Sequence, residues 1–411
     1  MVNRQMAMTT DPESIRLLEH ETRYNHPLTL TDARRLRDHF KGYLDVTRSF
    51  DGTGYDLKAK GYVGVIVLPD LLIRIDSKVP VDNLFVMLSR AYGLKVDLRN
   101  EMTALDAGDS LLEFVAGVFV GQVDVLVRQG IARGYVDREE LSPYLRGRLL
   151  VAEQVRAGIV AATRFHQRAN EFTADLPENR IVRATLGLLL RHYYRNVGLR
   201  PLLRRTLSAF SEVTPAVVRP SDCDRVVYTR LNRRYEPAIR LARLLLQLLS
   251  PEGHEGPTPF PAFLLPMHDV YEKFVANTLI EATAGRPEWR VESQRRIHLD
   301  KDKREPGDPD LVLYRDGRAA LVIDTKYKEF GEKPKPEDRN QMFAYCRALG
   351  VSEGMLLYPN DTNVYESRRL IGGTHDEDVV NLTLRSVSLA GSPAAFRRRW
   401  EQFVDGVLLV G

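Results

Sequence analysis

The chain has 411 residues, 44% of them hydrophobic and 28% charged, with a net charge of +4 at pH 7. That apolar share excludes a disordered chain, and the length is enough for two or three folded domains. The mildly basic balance permits a nucleic-acid partner without demanding one. Cys223 and Cys346 are the only cysteines, and no CxxC pair exists. A zinc cluster or disulfide framework is therefore not expected, and both thiols read as inert in a reducing compartment. The stretch Met1 to Glu21 is polar and lacks a signal-peptide core. No run reaches the roughly 18 apolar residues of a membrane span. The expected location is the cytoplasm, with no membrane partner.

In chain order, residues 1–30 read as a flexible lead, with loose packing up to about residue 25. Residues 29–40 are expected to be a short helix with Thr31 as N-cap and Leu36 and Phe40 on one face. Strands are expected at 42–50, 55–59, 63–68 and 71–75, punctuated by Asp51-Gly52 and Pro69-Asp70, and a helix begins near Asn83. Residues 31–135 thus read as a small β-rich N-terminal domain, a curved sheet packed on helices. Gly52-Thr53-Gly54 is not followed by Gly-Lys-Ser/Thr, so no phosphate loop is present and no GTP site is expected on this chain. Residues 110–133 are apolar at helical spacing and read as core. Residues 136–255 are expected to be a helical linker domain, with 239–249 as a buried helix face. The arginines of 200–205 and 225–243 fit a solvated helix face better than a DNA contact. The Pro- and Gly-dense stretch 250–262 is a loop.

Residues 256–411 carry the chemistry. A helix is expected over 263–282, with Pro266 near its start and Glu272 one position off its apolar face. A strand region follows at 289–299, where Gln294 approaches the site. Lys301, Lys303 and Arg304 form a basic edge, either a solvent-exposed loop or a DNA-backbone contact. Pro309-Asp310 precedes the apolar run Leu311 to Tyr314, and Asp316-Gly317 makes a hairpin turn. The return run ends in Ile323-Asp324-Thr325-Lys326. Residues two apart on a strand share a face, so Asp324 and Lys326 point together and the hairpin brings Asp310 beside them. Two close carboxylates suit Mg²⁺, and a neighbouring lysine can orient or deprotonate a water and offset phosphate charge. The bland alternative is a solvated hairpin with an ordinary ion pair. Against it, Asp324 ends a five-residue apolar run, and a charge there needs a reason. Beyond lie an expected helix at 337–348 with Gln341 and Tyr345 on one face, strands at 354–358, 363–366 and 382–389, and a terminal helix at 394–409.

Four blocks, in this order and spacing, resemble the C-terminal nuclease domain of the McrC family: Pro309-Asp310, Ile323 to Lys328, Asp338 to Tyr345, and Leu356-Leu357-Tyr358-Pro359. Shorter blocks at 62–66, 72–80, 145–149, 163–168 and 177–182 resemble other parts of the same family. McrC is the endonuclease subunit of the GTP-dependent McrBC system, which acts on modified-cytosine DNA, and its nuclease belongs to the PD-(D/E)xK superfamily. The resemblance implies an α+β multidomain chain: a small β-rich N-terminal domain, a helical middle and a C-terminal α/β restriction-endonuclease-like domain. It implies Asp310, Asp324 and Lys326 as the catalytic set. Mg²⁺ would sit on Asp310 and Asp324, with the Thr325 carbonyl and Glu272 as further ligands. Glu272 alternatively forms a surface pair with Lys273. Gln341 would orient the lysine or touch phosphate, and Lys328 joins the candidate DNA contacts. The implied partners are an McrB-like AAA+ GTPase hexamer, which would bind the GTP, and double-stranded DNA with modified cytosine. Two alternatives stay open: a non-cleaving activator of a ring NTPase, and the nuclease of a related defence system with a different DNA preference.

Overall fold

The computed structural model describes residues 13–93, 111–157, 163–192, 199–249, 252–253, 256–257, 260, 262–300, 302, 304–328, 334–360, 366–372 and 379–410. The chain divides into two compact units, one of residues 1–100 with 251–411 and one of residues 101–250. The architecture is α+β, with mixed sheets and a helical region. Among the described residues, no helix is long and apolar enough to cross a membrane.

The first unit begins with β1 (Glu13–Leu18) and β2 (Thr22–His26), where composition predicts loose packing. Ile15 and Leu17 alternate into the core, and β1 runs parallel to a later strand, so pairing supplies the order that the local sequence does not. The helix α1 (Leu30–Phe40) is capped by Thr29, not Thr31. Thr29 has extended backbone geometry, and its hydroxyl accepts the Asp32 N–H at 3.0 Å. Strands β3 (Leu44–Arg48) and β4 (Tyr55–Ala59) join β2 in a three-stranded sheet. Strands β5 (Tyr62–Val67) and β6 (Leu71–Asp76) join β1 in a second sheet. Leu36, Phe40, Leu57 and Ile73 bury one core between them. After β6 comes α2 (Val81–Ala91).

A strand from the far end of the chain completes this second sheet. The expected helix over 263–282 starts later: residues Ala262–Pro266 form β7, antiparallel to β5, and the helix α3 is Met267–Thr283. Ala262 to Leu265 is a run of four buried residues with no helical period, which suits a strand covered on both faces. Pro266, lacking an N–H, caps α3. The pairing needs Gly64, because a Cβ there would lie 1.9 Å from the Phe263 carbonyl oxygen and its φ is +148°. Side-chain amides tie the two ends further. Asn83 Nδ2 donates to the Leu389 and Gly391 carbonyls at 2.8 and 2.9 Å. Asn277 Nδ2 donates to the Arg90 and Ala91 carbonyls at 2.8 and 3.1 Å.

Among the described residues, the large sheet of this unit has six strands. Strands β8 (Trp289–Ser293), β9 (Leu311–Arg315) and β10 (Arg318–Thr325) are antiparallel neighbours. Asp316 and Gly317 both have positive φ, 49° and 79°, as the two-residue type I′ hairpin requires. The helix α4 (Pro336–Leu349) carries the chain to β11 (Glu353–Asn360), which runs parallel to β10. Strands β12 (Glu366–Gly372) and β13 (Val379–Ser388) complete the sheet, β13 parallel to β11 and β12 antiparallel to β13. The strand expected at 363–366 thus starts at its last residue, and 363–365 lie outside the described residues. Met342 and Cys346 of α4 pack on Val322, Leu356 and Leu384. The terminal helix α5 (Pro393–Val410) sets Trp400 edge-on to Phe274 at 4.7 Å between centroids.

The second unit holds helices Leu111–Arg128, Pro177–His192, Leu199–Ser208 and Glu236–Leu249. Buried Tyr235 links them: its hydroxyl accepts the Ala132 N–H at 2.7 Å and donates to Asn179 Oδ1 at 2.7 Å. The region expected to be a helical linker domain also holds a three-stranded antiparallel sheet of Gly134–Ser142, Phe165–Thr173 and Arg148–Leu149. Its strands are mostly exposed, so backbone pairing, not an apolar period, defines them. Nearby, the buried Asp175 carboxylate takes Arg180 Nε and Nη2 at 2.7 Å and the Thr214 hydroxyl at 2.7 Å. The Arg180 hydrogen bonds hold its carboxyl well below the usual range.

Two outcomes follow from these contacts. Gly64→Ala is expected to destabilise the chain by about 2–4 kcal/mol, because backbone must move; a urea midpoint equal to wild type would show that β7 yields freely. Asp175→Ala is expected to cost about 3 kcal/mol at pH 7 by stranding Arg180 and Thr214. Because the folded carboxyl is depressed, its contribution is full above the unfolded pKa of about 4 and fades as pH falls below it. Denaturation curves of the two chains should therefore converge toward acid pH and stay apart at pH 7.

Candidate active site

The site forms where β9 begins and β10 ends. Leu311 pairs with Ile323, so Asp310 and Asp324 meet at the open end of the hairpin. The Thr325 N–H and hydroxyl both donate to Asp310 Oδ2 at 2.7 Å. Thr325 therefore meets Asp310 through its nitrogen and hydroxyl, groups that the reading of its carbonyl overlooks. Asp324 is 4% exposed and sits between β9 and β11, where apolar neighbours close off water. Lys326 lies one residue past the strand, its N–H donating to the Leu357 carbonyl at 2.8 Å. Its ammonium reaches back to Asp324 Oδ2 at 2.6 Å. The side chains of Asp324 and Lys326 do converge, as their spacing predicts.

Two further elements enclose this pair. From α4, Gln341 Oε1 accepts from Lys326 Nζ at 3.4 Å, while Gln341 Nε2 donates to the Tyr345 hydroxyl at 2.8 Å. Asp338, one helical turn earlier, stands 3.8 Å from Lys326 Nζ and hydrogen-bonds Lys328. Lys328 is thus half-buried against a carboxylate. From α3, Glu272 Oε1 accepts from Gln294 Nε2 at 3.0 Å, and the Gln294 N–H donates to the Asp310 carbonyl at 2.9 Å. Gln294 joins Glu272 to Asp310 from a left-handed backbone position, φ 50°, that a non-glycine residue seldom adopts. Arg304 lies in an exposed loop, where its N–H and that of Glu305 cap Asp300 at 2.9 Å. Lys301 and Lys303 lie outside the described residues.

The electrostatics are those of crowded anions. Burial, then the Asp310 charge, pushes the Asp324 carboxyl up to about 6 despite Lys326. Burial raises Asp310 as well, against the lowering by its Thr325 bonds. Burial and then Asp310 raise Glu272. Burial by itself lowers the Lys326 ammonium, but the Asp324, Asp338 and Asp310 charges outweigh it and the net shift is upward. Lys326 is therefore held as a cation that donates hydrogen bonds. His268, one turn before Glu272 on α3, also acts on Asp310 by lowering its carboxyl. The Asp338-to-Gln341 spacing of one helical turn signals the pairing of Asp338 with the site. The helical spacing of His268 and Glu272 is an equally available signal.

Among the described residues, no group of three or more His, Cys, Asp and Glu side chains stands ready to hold a metal ion. Mg²⁺ seldom uses such a cage and is commonly held by one or two carboxylates, with waters and phosphate oxygens completing its shell. Asp310 and Asp324 are hard oxygen donors whose mutual repulsion a divalent cation would relieve, so the donor set fits that ion.

Fold and site together define an α+β protein with a buried carboxylate–lysine centre at the end of a mixed sheet. Residues 57–359 match the family described as McrBC 5-methylcytosine restriction system component, and the chain belongs to that family. It is 22% identical over 316 residues, 72% of this chain and 90% of the other, to the type IV methyl-directed restriction enzyme EcoKMcrBC of Escherichia coli (strain K12). Its fold is similar, at a TM-score of 0.61 and 22% identity, to a chain of the refined half-complex from the tetradecameric assembly of Thermococcus gammatolerans McrB AAA+ hexamers with bound McrC; the match covers 96% of this chain and 100% of that one. A chain of the cryo-EM structure of the Thermococcus gammatolerans McrBC complex aligns at a TM-score of 0.44 and 25% identity, over 67% of this chain and 89% of that one.

A raised carboxyl pKa has a stability consequence. The native chain keeps the Asp324 proton to higher pH than the unfolded chain, so its ionisation costs stability as pH rises from about 4 through about 6. In buffer free of divalent cations, Asp324→Asn should stabilise the chain at pH 7.5 by at most about 3 kcal/mol, with the gain shrinking toward pH 4. Urea midpoints at the two pH values check this; a loss of stability at pH 7.5 would mean that the ion pair with Lys326 outweighs the burial.

Proposed function

We propose that this chain is the DNA-cleaving subunit of an McrBC-type restriction complex, with Asp310, Asp324 and Lys326 as a PD-(D/E)xK catalytic set. The observation that carries the reading is the Lys326 ammonium 2.6 Å from a carboxylate that is itself buried beside a second one. An ordinary surface pair would be exposed and worth little. Here one anion is buried, with a second anion and a cation half-buried against it, and that desolvation has a cost, as at sites of chemistry.

Asp310 and Asp324 would hold Mg²⁺, with Glu272 and the Thr325 carbonyl as further candidates. The ion would supply Lewis acidity at the scissile phosphate and a more acidic bound water. This chain's own groups do the rest. Thr325 fixes the Asp310 carboxylate through two hydrogen bonds. Gln294 fixes the strand beneath it and orients Glu272. Lys326, kept protonated by its carboxylate neighbours, donates toward the attacking water or the phosphate oxygens and offsets charge as it develops. Gln341, itself set by Tyr345, accepts from the same ammonium and limits its swing. Lys328 and Arg304, with Lys301 and Lys303, are the candidate backbone contacts. One such centre cuts one strand, so a double-strand break requires two copies.

The partner in this proposal is an McrB-like AAA+ hexamer that binds GTP, and the substrate is double-stranded DNA bearing modified cytosine, in the cytoplasm. The support is family membership and the similarity of the fold to a chain from an assembly of McrB AAA+ hexamers with bound McrC. The test is cleavage of methylated and unmethylated plasmid with Mg²⁺ and GTP, with and without the cognate ring protein. Asp310→Ala, Asp324→Ala and Lys326→Ala should each lower the rate by at least about 10³-fold while GTP hydrolysis by the ring stays stimulated. Full cutting by Asp324→Ala would sink the assigned centre. Stimulated GTP hydrolysis without any cutting by the native chain would make the chain an activator only. Cutting driven by ATP would place it in a different defence system.

A further inference from the structure

Glu19 is fully buried, at 0% exposure, and it lies 308 positions from the residue it meets. It follows β1, and its Oε1 accepts three hydrogen bonds: the Tyr327 hydroxyl at 2.8 Å, the Lys78 N–H at 2.8 Å and the Ser77 hydroxyl at 3.3 Å. Its Oε2 is buried and, among the described residues, has no hydrogen-bond partner. A desolvated carboxylate with one oxygen unanswered costs stability, and a simple turn anchor could be built more cheaply from serine or asparagine.

Tyr327 is the residue after Lys326. The Lys328 N–H donates to the Lys326 carbonyl at 2.9 Å, closing a three-residue turn with Tyr327 at its centre. The strand β10 ends at Thr325, so among the described residues Tyr327 and Lys328 lie outside the sheet's pairing. The described contacts that hold the turn are the Lys326 N–H on the Leu357 carbonyl, the Tyr327 phenol on Glu19 and the Lys328 ammonium on Asp338, and of these the phenol is the one that pins the turn's central residue. The Tyr327 ring also faces Tyr271 at 5.8 Å, and Tyr271 precedes Glu272 on α3.

We propose that Glu19 and Tyr327 are positioning residues that set the Lys326 ammonium against Asp324, so that the N-terminal sheet holds the centre from behind. This rests on the reading of Lys326 as the lysine of the reacting centre. Neither residue touches the reacting atoms in this proposal. The phenol pins the turn, and the turn limits where the lysine stem can reach.

Tyr327→Phe removes the phenol and leaves the Ser77 and Lys78 bonds to Glu19 in place. Glu19→Gln keeps an acceptor oxygen for the phenol and serves as the conservative rescue, whereas Glu19→Ala removes it. The full chain with its ring partner is assayed on plasmid DNA, and each variant is also labelled by reductive methylation, with the Lys326 rate read by peptide mass spectrometry. Tyr327→Phe and Glu19→Ala are expected to lower kcat by about 10- to 100-fold with little change in KM, and to speed Lys326 labelling several-fold over the other lysines. Glu19→Gln is expected to retain most of both wild-type values. Unchanged kcat and labelling in Tyr327→Phe would overturn the proposal, as would equal loss in Glu19→Gln and Glu19→Ala. If the native chain itself does not cut, the nuclease reading fails, and the labelling rates alone decide whether the pair holds the lysine.

Discussion

A buried carboxylate, Asp324, set beside the half-buried Asp310 at the mouth of a hairpin is the constraint around which the C-terminal part of this chain is arranged. Burial pushes both carboxyls upward, and the Asp310 charge adds to the rise at Asp324. Nearly every nearby polar contact opposes that cost. Thr325 donates twice to Asp310, and Lys326 lays its ammonium on Asp324. The lysine in turn needs Asp338 and Gln341 around it. The arrangement is rigid because its members sit on a paired strand, its end and a packed helix, with the elements themselves held by a well-buried core.

The N-terminal sheet is part of the same compact unit. β7, which immediately precedes the helix bearing Glu272, is a strand of that sheet. The buried Asn83 amide and the half-buried Asn277 amide spend their donors on carbonyls from the other half of the sequence. Polar side chains used in this way are specific, since a shift of either half leaves buried groups unpaired. The placement of Glu272 thereby depends on residues more than a hundred positions away.

Charge also decides which role Lys326 can take. A lysine acting as a base must lose its proton near neutral pH, which burial alone would favour. Three neighbouring aspartates reverse that tendency and keep it a cation. The same aspartates explain why the chain's modest net charge of +4 says little about DNA binding. Local sign at the centre is set by pairs, and the formal sum averages them away.

Much of the C-terminal hairpin was legible in the sequence because its signals are local. Asp316-Gly317 supplies the positive φ values of a two-residue turn, and period-2 spacing puts Asp324 and Lys326 on one side. Helices with a strong apolar period, such as Leu111–Arg128 and Glu236–Leu249, were legible for the same reason. Where pairing partners are remote, local pattern failed: β1 and β2 read as a loose lead, β7 read as the start of a helix, and the exposed strands around residues 134–173 read as helical linker. The sequence by itself determined the turn, the acidic pair and its lysine, because each depends on neighbours a few residues apart. Only the tertiary structure decided that Gln294 bridges Glu272 and Asp310, and that Glu19 answers Tyr327 across 308 positions. No local period encodes which buried oxygen will face which donor once the chain has closed on itself.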